Sequence, residues 1–269
     1  MTQPLLTAEV LAEFERDGFC LGERLLTDGE ADHLYGIVHD IVVNDTNPYH
    51  QRVYDFKHGG RPLLHIKNMW RRYDEFRRLH ENPRILGALH ALTGLERFHL
   101  FQDRFFYKPA GSGGYHTWHQ DAFYHPFLEP YVEVGVWIAL TEADAENGTM
   151  SMVADSHRWG DAAEFLDEIA EYASEDRPLP ERYGEHTIEV KVCPVPKGHA
   201  HFHSGAAWHA SGPNWSDRVR CGVGLFFVDA SVRFDGNSRW AKDYQGAHGE
   251  HLDPDVYPLV SAAGATVGA

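Results

Sequence analysis

Cysteine is scarce in this chain of 269 residues: Cys20, Cys193 and Cys221 are the only three. Their wide spacing excludes a disulfide framework and a zinc ribbon, and suits a reducing compartment. Long apolar runs are missing too. No stretch reaches the roughly 20 consecutive apolar residues that a membrane-spanning helix needs. The opening MTQPLLTAEVLAEFERDGF has no basic segment followed by an apolar one to mark it for export. The expected location is the cytoplasm. Positive charge is also short, with 24 Lys and Arg against 40 Asp and Glu and a net charge of −16. Phosphate backbones reward cationic surfaces, so no nucleic-acid partner is expected. Such acidity keeps a protein soluble; its sharper reading is an acidic mouth that draws in a cationic substrate.

Glycine and proline, by contrast, are well supplied, with 25 and 14 copies, as a turn-rich β protein requires. At 43% hydrophobic the chain can bury one sizeable core, and a single domain over residues 1–269 is the expectation. The first part reads as helical support. Thr7 caps a helix running to Asp17, Gly18–Leu21 is a short strand, and Thr27 or Asp28 starts a second helix that reaches about Val43. Asn44–Arg61 is polar and loop-like, Leu63–Lys67 alternates as a strand, and helical patterns follow at Asp74–His80 and Pro83–Leu92. From Phe98 to about residue 230 the segments turn short, aromatic and β-branched: Phe98–Tyr107, Val132–Thr141, Thr149–Val153, Thr187–Val192, Ala200–His203 and Val219–Asp229. Helices followed by many short strands predict a mainly β protein, a sandwich buttressed by N-terminal helices. An acidic amphipathic helix at Asp161–Asp176 interrupts the strands as an outer insertion, and residues 231–269 form a C-terminal extension with a frayed Gly/Ala-rich tail.

The most informative stretch is Tyr115–Phe127, YHTWHQDAFYHPF. On extended backbone alternate side chains share a face, so His119 and Asp121 point the same way. Two histidines and one carboxylate on one face of a metal leave open positions that suit non-haem Fe(II) chemistry. The third ligand has a candidate in His209, at the head of WHASGPNWSDRVR, and eleven residues later Arg220 opens the strand VRCGVGLFFV. If His209 ends one strand and Arg220 sits on its hairpin partner, both face one pocket. A guanidinium there can grip a carboxylate by two parallel hydrogen bonds, with Ser211 adding a hydroxyl.

These segments together resemble the phytanoyl-CoA dioxygenase-like branch of the Fe(II)/2-oxoglutarate oxygenases. The likeness extends from EFERDGFCLGERLLTDGEADHL through His119-Gln120-Asp121 and the block from Gly148 to Arg158 to His209–Arg220. It implies a double-stranded β-helix, a cupin-like jelly roll, with a core at 98–230. It further implies His119, Asp121 and His209 as iron ligands and Arg220, assisted by Ser211, as the anchor for the far carboxylate of 2-oxoglutarate. Gln102, Trp137 and Lys67 match positions that line the co-substrate pocket. Fe(II), 2-oxoglutarate and O2 are then the implied cofactors, with no protein acid or base beyond the iron centre. The chain departs from the pattern at Ala154-Asp155 and Gly198-His199, which leaves substrate class open. An intact Asp121 disfavours halogenation, because halogenating relatives carry a small residue there.

Trp118, Phe123, Tyr124, His125 and Trp208 flank the ligands and would line an aromatic, polar pocket that stacks on sugars or attracts cations. The expected activity is hydroxylation or oxidative cyclisation at a C–H bond of a small polar natural-product intermediate, sugar-containing or aminated, with release of succinate and CO2. Two other readings fit the fold: a non-catalytic jelly-roll binding module, and a cupin-like metalloenzyme that does not use 2-oxoglutarate. Among the 19 histidines, His65, His116, His125, His157 and His186 default to core or surface roles. His199, His201 and His203 alternate and form a rival metal site on spacing alone.

Overall fold

A computed structural model describes residues 4–44, 63–175, 177–238 and 241–263; the loop expected at Asn44–Arg61 lies almost wholly outside them. In the N-terminal part α1 (Ala8–Asp17) is capped by Thr7 and closed by Gly18 at φ 86°, a left-handed position that suits glycine. Then come β1 (Phe19–Arg24), α2 (Asp28–Asn44), β2 (Leu64–Lys67), α3 (Asp74–His80) and α4 (Pro83–Thr93), which has Asn82 as its cap and Pro83 in its first turn. The β-rich part holds β3 (Arg97–Lys108), β4 (His116–His119), the single turn α5 (Asp121–Tyr124), β5 (Leu128–Glu129), β6 (Glu133–Ala139) and β7 (Met150–Val153). After these lie α6 (Ala163–Glu168), β8 (Arg182–Tyr183), β9 (His186–Thr187), β10 (Val190–Cys193), β11 (His199–Ser204), β12 (His209–Ser211), β13 (Arg220–Asp229), β14 (Arg233–Phe234) and β15 (Leu259–Ser261).

Two antiparallel sheets face one another. The larger runs β1-β11-β6-β13-β3-β15, with β2 also paired to β3; the smaller runs β10-β7-β12-β4. Strand alternation divides the larger sheet cleanly. Leu100 and Phe105 of β3, Val136 of β6, Phe202 of β11 and Val223 of β13 pack with Phe76, Ile85 and Leu89 of the helices in one large core. Their neighbours point the other way, into the gap between the sheets. One face of the sheet is therefore glued to helices by apolar burial, and the other is free to hold polar chemistry.

The described residues match a mainly β jelly-roll architecture with N-terminal helices. Local departures have local causes. The strands expected at Gly18–Leu21 and Leu63–Lys67 form as β1 and β2, and they join the larger sheet rather than standing apart with the helices. Likewise β15 of the C-terminal extension pairs with β3. The strand expected at Thr187–Val192 splits into β9 and β10. The helix expected over Asp161–Asp176 breaks into α6 and a 3-10 turn at Ala170–Ala173. Asp161 accepts from the Ala163 N–H at its start, and both Leu166 and Ile169 are drawn into an aromatic cluster with Trp208.

Candidate metal centre

His119 ends β4, and Gln120 continues extended at φ −115°, ψ 136°. That one extended residue keeps Asp121 on the side of His119, although Asp121 already begins α5 and is not on a strand as expected. Gln120 faces the opposite way, where its amide donates to the carbonyls of Gly160 and Ala206. His209 sits directly across the β12–β4 ladder from His119, their rings 4.0 Å apart. One ligand atom from each of His119, Asp121 and His209 lies within 4.8 Å of the other two. Nε2 of His119 is 3.7 Å from Oδ1 of Asp121, and Nε2 of His209 is 3.9 Å from Oδ2.

The surroundings fit a metal. Nδ1–H of His119 donates to the Thr117 carbonyl at 2.8 Å, and Nδ1–H of His209 donates to the Ala207 carbonyl at 3.0 Å. Each bond fixes the tautomer that leaves Nε2 as a free electron pair aimed at its neighbours. Burial pushes both imidazoles down to about 3, so they are neutral at physiological pH. Asp121 lies below the ordinary carboxylate range: burial pushes it upward, and the surrounding imidazoles of His209, His203 and His119 outweigh that. Its Oδ2 is buried with no hydrogen-bond partner. Two neutral nitrogens and one carboxylate, mutually close and under-satisfied, form a donor set for a divalent ion such as Fe(II).

Arg220 opens β13 in the larger sheet, whereas His209 belongs to the smaller one. They are not hairpin partners, as the spacing had suggested; the chain crosses between sheets, and the two face each other through one cavity. Arg220 is 2% exposed, its Nε is unpartnered, and its guanidinium lies over the Trp137 ring at 4.3 Å. Burial pushes it down to about 10, which still leaves it charged. Gly222 makes the stacking possible, since a methyl at that position would overlap the Trp137 ring. Ser211 also lines the cavity, but its hydroxyl is engaged: it donates to the Gly148 carbonyl and accepts from Lys108 at 2.5 Å.

Lys108, paired with Arg220 across the ladder, is a residue the sequence reading missed. It is fully buried, and its ammonium also donates to the carbonyls of Gly148, Ser211 and Gly212. The available signal was its shared face with Gln102 on one aromatic strand. His116, expected in a core or surface role, lines the cavity, its ring stacked on His65 at 5.6 Å and tilted against His119 at 4.3 Å. The rival histidines separate: His199 hydrogen-bonds the Gly22 carbonyl, whereas His203 stands 3.5 Å from Asp121 Oδ2.

Other expected pocket residues fall elsewhere. Trp118 and Trp208 point away from the ligands beside them and pack beneath α6, as alternation along a strand requires. His125 is buried, bonded to Glu133 at 2.9 Å and edge-on to Phe101, and belongs to the core. Phe123 lines an open groove of about 1300 Å³ on the far side of the motif, which neither His119 nor Asp121 reaches. Only Tyr124 keeps near the ligands, its ring 5.7 Å from that of His119. Gln102 is buried outside the cavity lining and accepts from Arg104 at 3.4 Å. Lys67 lies opposite Arg104 on β2, its ammonium 5.9 Å from the Tyr244 ring.

Comparison with known proteins agrees with this architecture. A family model for phytanoyl-CoA dioxygenase (PhyH) matches residues 14–222. Phytanoyl-CoA dioxygenase domain-containing protein 1 of Danio rerio is 30% identical over 150 residues, 54% of this chain and 50% of that protein, so the match spans half its length. The non-haem α-ketoglutarate-dependent carbocyclase SnoK of nogalamycin biosynthesis superposes with a TM-score of 0.77 at 20% identity, covering 97% of this chain and all (100%) of that one. The epimerase SnoN, in complex with Fe3+, α-ketoglutarate and nogalamycin RO, gives 0.73 at 19% identity over 93% and 97%. At such identities the two structures speak for a shared fold.

Proposed function

This chain belongs to the phytanoyl-CoA dioxygenase family, and from that premise we propose that it is an Fe(II)/2-oxoglutarate-dependent oxygenase acting on a C–H bond of a small polar natural-product intermediate. One observation carries the reading: His119, Asp121, His209 and a buried Arg220, which has no carboxylate partner among the described residues, line the same cavity. A buried guanidinium without a carboxylate is costly, and a dicarboxylate co-substrate reaching from the metal would supply the missing partner. His119, Asp121 and His209 would hold Fe(II) on one face. Arg220, kept in place by Trp137, would grip the far carboxylate of 2-oxoglutarate, while Lys108 orders the backbone around Ser211. The chemistry that Fe(II) with 2-oxoglutarate supplies when bound is O2-dependent decarboxylation to succinate and CO2, coupled to removal of a substrate hydrogen. The carbocyclase and epimerase roles of SnoK and SnoN support an outcome of ring closure or stereochemical change as readily as hydroxylation.

The test is anaerobic titration with Fe(II) and then 2-oxoglutarate, watched for a metal-to-ligand charge-transfer band. Wild-type protein should develop the band. Arg220→Ala should weaken 2-oxoglutarate binding by about 100-fold, since it strips one partner from a buried charged pair. A binding module would show no band, and a metalloenzyme that does not use 2-oxoglutarate would tolerate the loss of Arg220.

A further inference from the structure

The cavity holds a second guanidinium. Arg104 lies four residues before Lys108 on β3, on the same face of the strand, opposite Gly224 of β13. That spacing sets it roughly 13 Å along the sheet from the Lys108–Arg220 pair. Arg104 lines the cavity together with Phe106, Phe226, His119 and Asp121. Its guanidinium carbon is 6.0 Å from the centre of the Phe106 ring and 5.7 Å from that of Phe226. Gly224 keeps that corner open, since a methyl there would come within 3.0 Å of Phe106. Among the described residues the guanidinium makes one polar contact, a long 3.4 Å bond to the side-chain oxygen of Gln102, and its Nε is buried and unsatisfied. Among the described residues, none places a carboxylate within ion-pair distance of it.

Charge balance makes this informative. Asp121 and the two carboxylates of 2-oxoglutarate carry three negative charges. A divalent ion and Arg220 carry three positive ones. Lys108 is solvated by the oxygens of Gly148, Ser211 and Gly212. Among the described residues Arg104 is then the cavity guanidinium left without a carboxylate at ion-pair distance, since Asp121 and Glu133 act on it only from further away. The overall acidity of the chain favoured a cationic substrate, but the wall of this cavity favours the opposite sign.

We propose that Arg104 binds a carboxylate of the substrate, on the side of the metal site away from Arg220. The inference rests on the oxygenase reading and narrows its substrate class to small organic acids. One fork-shaped cation matches the single charge of a carboxylate. A phosphate monoester brings nearly two charges close to the ionised Asp121, which disfavours it.

The experiment uses protein loaded anaerobically with Fe(II) and 2-oxoglutarate. It is titrated calorimetrically with acetate, propionate and benzoate, with the matching amides, and with phenyl phosphate. Wild-type protein should take at least one acid about tenfold more tightly than its amide, as expected for a hydrogen bond between charged groups, and more tightly than phenyl phosphate. Arg104→Gln should lose that preference and keep its 2-oxoglutarate affinity; Arg104→Lys should keep part of it. Loss of 2-oxoglutarate affinity in Arg104→Gln assigns the residue to the co-substrate and overturns the proposal. So does a wild-type protein that prefers none of the acids, or prefers the phosphate. Absence of the charge-transfer band in the wild type refutes the oxygenase reading instead; the calorimetric preference then still decides whether Arg104 selects acids.

Discussion

His203 stands 3.5 Å from the Oδ2 atom of Asp121, and it has room there because residue 135, its partner across the β11–β6 ladder, is a glycine. A methyl on residue 135 would overlap the His203 ring. The larger sheet has given up a side chain to seat an imidazole behind Asp121, the carboxylate proposed to hold the metal. Groups that orient a ligating carboxylate shape metal affinity as well as the ligands do.

Gly135→Ala should therefore act on the metal without touching a ligand. The displaced ring should cost about 1–3 kcal/mol of stability through overpacking and weaken Fe(II) binding by roughly 10–100-fold. Thermal unfolding and Fe(II) titration of the purified variant measure the two effects. Unchanged metal affinity in a folded variant would show that His203 does not orient Asp121.

Removing the metal should lower stability by mass action. Fe(II) at about 100 times its dissociation constant adds about 2.7 kcal/mol, and each kcal/mol moves the midpoint by roughly 2–4 °C in a chain of this size. Chelator-treated protein should melt lower, and Fe(II) should restore the midpoint. In His209→Ala, which removes one ligand, the restoring effect should vanish. A full Fe(II)-dependent rise in that variant would place the metal elsewhere.

Acid should destabilise the metal-free protein early. Burial pushes His80 down to about 4 and His116, His119 and His209 down to about 3. In the unfolded chain the same groups titrate near 6.5. Below about pH 6.5 the unfolded state therefore binds more protons. The stability these groups contribute is complete above that pH and is lost as pH falls toward 3–4. Each fully depressed histidine costs about 1.4 kcal/mol per pH unit across the window. Urea midpoints should fall clearly between pH 7.5 and 5.5, and a flat or rising profile would contradict the buried, neutral imidazoles.

The sequence determined what depends on neighbours along the chain. Strand and helix patterns of period two and 3.6, the Thr7 cap and the turn-rich β half are local signals, and they gave a mainly β chain with helices at its start. Because Gln120 is extended, His-x-Asp was enough to put His119 and Asp121 on one side. What depends on approach through space was not legible. Alternation says that Trp118 and His119 face opposite ways, but only the fold says which side is cavity, and it turned both Trp118 and Trp208 toward α6. Spacing could not say that His209 and Arg220 lie in different sheets, because a crossing and a hairpin can span the same number of residues. Nor could it reveal Lys108, Arg104 and His203, whose meaning lies in the partners that surround or fail to surround them. A charge gains its role from what it can reach once water is excluded, and that is decided only when the two sheets close over it.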